Sequence, residues 1–222
     1  MKFAVLVAIL TVSTAANPIK RSDPVGIDVS SHQGSAINWS EVKANGVIFA
    51  YIKATEGTSY VNPDFGSQYA GATKADLIRG SYHFAQPASS SGSTQASYFI
   101  EHGGGWSADG ITLPGALDLE AGCYGLSASS MISWIRSFST EYYSSEKRCA
   151  MLYITTNWWK SCTGNSAAFA SSSPLWLASW GSGMGALPAG WTTATFWQNS
   201  DHSSSNPGDQ DKFIGGITGL DK

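Results

Sequence analysis

Two acids separated by a single leucine close the apolar run Leu113-Pro114-Gly115-Ala116-Leu117-Asp118-Leu119-Glu120. In a strand, residues i and i+2 share a face, so Asp118 and Glu120 stand side by side with Cβ atoms roughly 6.5 Å apart, and Leu117 and Leu119 face the other way. Crowded carboxylates raise the pKa of at least one member and keep a proton available near neutral or mildly acid pH. Glycoside hydrolysis needs this arrangement: one carboxyl donates its proton to the leaving oxygen while its neighbour stabilises positive charge on the sugar. The spacing leaves retaining and inverting mechanisms both open, because flexible side chains reach either separation. An apolar strand that releases acids at its C-terminal end suits a (β/α) barrel, whose active sites gather at that end.

The elements that would position this pair follow from periodicity. Val25 to Ser30 reads as a first strand with Asp28 near its end, Gly46 to Ala54 as a second that delivers Lys53, Thr55 and Glu56, and Leu77 to Ala85 as a third ending in Tyr82-His83-Phe84. The acidic run is the fourth, and Ala150 to Thr155, with Tyr153, the fifth. Helices are expected after Asn38, whose Asn-x-x-Glu spacing to Glu41 is that of an N-cap and its partner, then over Phe65 to Ala75, over Ser91 to His102 with a stop at Gly103-Gly104-Gly105, and over Ser127 to Glu146, where Met131, Ile135, Phe138 and Tyr142 form one stripe. Asn38-Trp39-Ser40 is also a glycosylation sequon, but an Asn engaged as a cap is a poor acceptor. Leu175-Trp176-Leu177-Ala178, Thr195-Phe196-Trp197-Gln198 and Phe213-Ile214 are strand-like with little helix between the last ones. Alternating βα units imply a parallel sheet, so the expected architecture is an α/β, TIM-like barrel of five βα units and three closing strands in one domain. Asp28, Glu56, Asp118 and Glu120 then converge on one mouth.

The 222 residues, 42% apolar, suffice for one sizeable core. Residues 1–16, a short charged start, an apolar run and small residues, read as a secretory signal peptide, and residues 17–21, ending in Lys20-Arg21, as a short propeptide. The mature catalytic domain is then 22–222, and losing three basic residues takes its formal charge from −3 to about −6. That acidity argues against nucleic acid or an anionic membrane as partner. A secreted, extracellular monomer is expected. His32, His83, His102 and His202 show no metal-binding spacing, so neither metal nor other cofactor is expected. Export permits disulfides: Cys123, just past the acidic strand, and Cys162, in the polar loop Lys160-Ser161-Cys162-Thr163-Gly164, are expected to pair, leaving Cys149 as a buried thiol at the head of the fifth strand.

Several motifs come in a characteristic order: Gly26-Ile27-Asp28-Val29-Ser30 with Gln33-Gly34, Lys53-Ala54-Thr55-Glu56-Gly57, Tyr82-His83-Phe84, Leu117-Asp118-Leu119-Glu120, Leu152-Tyr153, Leu175-Trp176-Leu177-Ala178 and Phe196-Trp197-Gln198. In this the chain resembles glycoside hydrolase family 25, the Chalaropsis-type N,O-diacetylmuramidase lysozymes, from about Val25 onward. The resemblance implies a flattened (β/α)5(β)3 barrel that cleaves the β-1,4 bond between N-acetylmuramic acid and N-acetylglucosamine in bacterial peptidoglycan. It implies Glu120 as general acid, Asp118 as its partner, and Asp28, Tyr82 and Tyr153 in the substrate groove. Trp176 and Trp197 are placed in the groove with barrel packing as the alternative. The family's last acid corresponds to Asp211, with Asp209 close enough to take its place. A family-18 chitinase, which also ends a strand in Asp-x-Glu, would need acids where Leu113 and Ala116 stand. A non-catalytic wall-binding protein on the same fold is the rival from another class.

Overall fold

The computed structural model describes residues 23–215 and 219–220; the expected signal peptide and propeptide lie outside the described residues. The chain runs β1 (Val25–Val29), α1 (Trp39–Ala44), β2 (Val47–Glu56), β3 (Tyr60–Val61), α2 (Phe65–Lys74), β4 (Ile78–Phe84), α3 (Gly92–Phe99), β5 (Ala116–Leu119), α4 (Ala128–Glu146), β6 (Met151–Ile154), α5 (Thr156–Thr163), β7 (Leu175–Ala178), β8 (Phe196–Ser200) and β9 (Asp209–Phe213). Strands β1, β2, β4, β5, β6, β7, β8 and β9 pair in that order, and β9 returns to β1, so the sheet closes; β3 only extends the end of β2. Neighbours around the barrel are parallel except at β9, which is antiparallel to both β8 and β1. Five βα units followed by three strands is the architecture expected from the sequence pattern.

Alternation along each strand sorts the residues into an interior and an outer layer. Phe49, Tyr51, Met151, Tyr153, Trp176, Phe196 and Phe213 fill the barrel. Their neighbours Leu117, Leu119, Leu152, Ile154, Leu175 and Leu177 face outward onto the aromatic stripes of α3, α4 and α5, while Ile27, Val29, Ala50 and Ile52 meet the side of α1 and α2. Each fully buried ring of this kind stabilises the fold by about 2–3 kcal/mol. Two inward-facing glycines make room for such rings: a Cβ at Gly26 would run into Phe49, and one at Gly80 into Tyr51. Four of the five described α-helices start where a hydroxyl or amide side chain accepts from the first turn: Asn38 from Glu41 N, Ser91 from Thr94 N, Ser127 from Ser130 N and Thr155 from Trp158 N. The end of α3 passes through a wide turn at Ile100–Gly104, where Gly103 adopts a φ of 112°.

Two expectations about cysteine are revised in part. The disulfide Cys123–Cys162 is present, but Cys162 lies within α5 and not in a loop. Polar Lys160 and Ser161 mask that helix in the sequence, whereas Trp158 and Trp159 with Cys162 and Thr163, four residues on from each, form its buried face. Cys149 is free but only half-buried, because it precedes β6 and remains outside the barrel wall. The bridge spans 39 residues and is expected to contribute about 4 kcal/mol in the chain-entropy picture. Replacing both Cys123 and Cys162 by Ser should therefore lower urea-unfolding stability by about 2–4 kcal/mol, and the unreduced protein, once denatured, should react with one equivalent of a thiol reagent, at Cys149. Two or more reactive thiols would contradict the pairing.

Candidate active site

The C-terminal ends of the parallel strands form the mouth of a cavity of about 180 Å³. Asp28 comes from β1, Tyr82 from β4, Asp118 and Glu120 from the end of β5, Tyr153 from β6, Trp176 from β7, Gln198 from β8 and Asp209 from β9, with His32 and Gln33 at the rim. Sheet register explains why they meet: Asp118 pairs across to Tyr153, and Tyr153 to Trp176, so three inward side chains stand in one row. The Tyr153 and Trp176 rings pack edge to face at 4.9 Å. Beyond Glu120 and Tyr153, which line both, a second cleft of about 530 Å³ continues over Thr156, Asn157 and Lys160 of α5 and over Ala178, Trp180 and Met184. The two spaces form one groove with Glu120 at their junction. Asp118 sits deeper, 5% exposed, and its Oδ1 has no hydrogen-bond partner in the protein.

Crowding shapes the charge of this site. Burial, and then the carboxylate of Glu120, push Asp118 well above the usual carboxylate range. Glu120 is raised as well, by burial, against the nearby Lys53 charge and the polar contact of the Tyr153 hydroxyl. Asp28 is lifted to about 7 by burial and the charge of Asp209, with Gln198 holding it lower by donating a hydrogen bond, and Asp209 rises to about 6 by burial and the charge of Asp201. Asp211, wholly buried, accepts from Trp176 Nε1 at 2.8 Å and faces the carboxyl of Asp28 in a contact that becomes a hydrogen bond when one of the two carries a proton. Burial and the Asp28 charge raise it strongly.

The structure brings together Asp28, Tyr82, Asp118, Glu120, Tyr153 and Trp176, and separates three other residues from them. Trp197 points out of the barrel, its Nε1 donating to Ser179 O at 2.7 Å and its ring under Lys212, because Phe196 and Gln198 on either side occupy the inward positions of β8. Asp211 lies beneath the cavity floor; Asp209, two residues earlier on the same face and one step nearer the mouth, reaches the cavity instead. Glu56 turns away to Lys53 at 2.7 Å and Gln86 at 2.8 Å, and although burial works the other way these contacts hold it below its usual range. Gln198 is the residue that motif reading passed over. Its Nε2 donates to Asp28 Oδ2 at 2.8 Å and Asp209 Oδ2 at 3.1 Å, and its Oε1 accepts from Tyr153 Oη and Trp180 Nε1, both at 3.0 Å. Its signal was its place two residues after Phe196 on a strand whose alternation turns both inward.

Comparison with known proteins places this geometry. The chain is 52% identical over 200 residues to the N,O-diacetylmuramidase of Chalaropsis sp, covering 86% of this chain and 93% of that protein. It is 47% identical over 212 residues to lysozyme M1 of Streptomyces globisporus, covering 91% of this chain and 72% of that one. The muramidase structure from Acremonium alcalophilum superposes with a TM-score of 0.87 at 50% identity, over 89% of this chain and 97% of its own. Residues 27–208, from β1 to the start of β9, match the sequence profile of the glycosyl hydrolases family 25, and with these relatives the chain belongs to that family of glycoside hydrolases.

Proposed function

We propose that the protein is a secreted lysozyme that hydrolyses the β-1,4 bond between N-acetylmuramic acid and N-acetylglucosamine in bacterial peptidoglycan. The observation that carries this reading is the position of Glu120 at the junction of the two halves of one groove, with the buried Asp118 beside it. A bond laid across that junction presents its oxygen to Glu120 and its anomeric carbon to the acidic cavity. The crowded pair retains a proton at a pH where isolated carboxyls have lost theirs. Positive charge developing on the sugar favours the ionised form of Asp118 and leaves the proton to Glu120, which faces the leaving oxygen. The unpartnered Oδ1 of Asp118 is suited to accept a hydrogen bond from the sugar's 2-acetamido group, because a buried carboxylate oxygen without a partner costs free energy that substrate can recover. Asp28 and Asp209 add negative charge around the same centre, and Tyr82 and Trp176 wall it. The relatives named above, muramidases and a lysozyme, support the choice of bond.

Residues 1–16 and 17–21 are read as removed, leaving 22–222 as a monomeric catalytic domain outside the cell. The disulfide supports an oxidising compartment, and among the described residues no helix is long and apolar enough to cross a membrane. N-terminal sequencing of protein recovered from culture medium should find Ser22 first; a start before Asn17 would remove the signal-peptide reading.

Glu120→Gln should lower turnover of cell walls by about 10²–10⁴-fold with binding retained, because the leaving sugar departs poorly without a proton. Asp118→Asn should be comparably severe. A substrate with a strongly acidic leaving group needs no proton and should rescue the first step of Glu120→Gln far better than that of Asp118→Asn; the opposite order would reverse the assigned roles. Activity on a neutral oligosaccharide should be greatest in mildly acid solution and decline as pH rises through the elevated pKa of Glu120, since the protonated form is the active one. Mass spectrometry of digested peptidoglycan tests the bond itself: N-acetylmuramic acid at the new reducing end is expected, and N-acetylglucosamine there would refute it.

A further inference from the structure

Trp180 is the most exposed large hydrophobic residue among those described, with 60% of its surface open to solvent. Exposure usually accompanies freedom, yet this ring is held at both ends. The N–H groups of Ser179 and Gly181 donate to the carbonyls of Gln198 and Asn199, so the backbone continues the pairing of β7 with β8 beyond the barrel rim. Its Nε1 donates to Gln198 Oε1 at 3.0 Å. The indole therefore lines the larger cleft beyond Glu120 as a fixed flat surface, with Ala178 and Met184 beside it and the polar Asn157 and Lys160 also lining the cleft. An aromatic ring held in this way suits a pyranose, whose ring face is apolar and whose edges carry hydroxyls.

The anchor is as specific as the platform. Gln198 is 1% exposed and makes four side-chain hydrogen bonds, two donated and two accepted. Its amide cannot be reversed, because an indole N–H only donates and must therefore meet the amide oxygen. Glutamate would place another acceptor against Asp28 and Asp209, and an apolar side chain would leave all four partners unmatched. One buried side chain thus links the exposed ring in the cleft to the acids and to Tyr153 in the cavity.

Building on the hydrolase reading above, we propose that Trp180 is the stacking platform for the leaving sugar, N-acetylglucosamine with the strand that follows it, and that Gln198 is the positioning residue that ties this platform to the acidic cavity. The sugar on the cavity side is the one whose anomeric carbon is attacked; the one beyond Glu120 departs and lies against Trp180. Engagement of the leaving sugar is thereby coupled to the arrangement of Asp28, Asp209 and Tyr153.

The test compares two substrates in the full-length mature enzyme: soluble peptidoglycan glycan strands, and the β-glycosyl fluoride of N-acetylmuramic acid, which has no leaving sugar. Trp180→Ala should lose about tenfold more kcat/KM on the strands than on the fluoride, chiefly through KM. Trp180→Phe, with a ring but no N–H, should recover only part of that loss. Gln198→Met should lower kcat on both substrates and move the acid limb of the pH profile upward, because Asp28 loses a donor that stabilises its charge. Equal losses on the two substrates for Trp180→Ala would overturn the platform. Full recovery by Trp180→Phe would overturn the tie to Gln198, and that variant serves even if Gln198→Met does not fold. Wild-type enzyme inactive on both substrates would instead defeat the hydrolase reading on which this one rests.

Discussion

Five carboxyl groups, those of Asp28, Asp118, Glu120, Asp209 and Asp211, are held at one end of a closed barrel, where burial raises the proton affinity of each. Their crowding opposes folding, since buried like charges gain stability only by holding protons or finding donors. The barrel tolerates it through a small set of neutral donors, namely Gln198 to Asp28 and Asp209 and Trp176 to Asp211. Below this layer the interior is almost wholly aromatic and aliphatic, so favourable burial lies directly beneath the costly polar mouth.

Strand β9 has a central part in that balance. As the one antiparallel strand of the closed barrel it joins β8 to β1, and it carries Asp209 and Asp211 on its inward face beside Asp28. The same register that seals the barrel thus places two acids against a third. In β8, alternation puts Phe196 into the core, Gln198 under the site and Trp197 outside, where it packs under Lys212.

Rigidity just beyond Glu120 comes from outside the sheet. Cys123 is bridged to Cys162 of α5, Trp158 Nε1 of the same helix donates to Ala121 O, and the Tyr124 hydroxyl reaches Ala85 O at 3.1 Å. The segment that follows Glu120 is therefore tied to α5 and to the end of β4. General acid catalysis depends on placing a proton within hydrogen-bond reach of the leaving oxygen, and these ties hold the backbone beside Glu120, the proposed donor, on a wall of the groove.

The order of strands, the five βα units, the closing strands and the common face of Asp118 and Glu120 could all be read from the chain, because period-two alternation and capping residues are local properties. So could the choice of Cys123 and Cys162 as partners, although α5 was hidden by its short length and polar middle. Depth was not legible. Asp209 and Asp211 share a face and differ only in height, so which of them meets the cavity was decided by where β9 ends against β1 and β8. Trp176 and Trp197 sit in similar apolar runs, and it was strand register that turned one inward and the other out. Gln198 carries no charge to mark it, and its four partners come from β1, β6, β9 and the turn after β7. Periodicity along a chain determines which face a side chain takes; only closure of the barrel determines what it meets there, since those partners lie far apart in sequence and meet through sheet geometry alone.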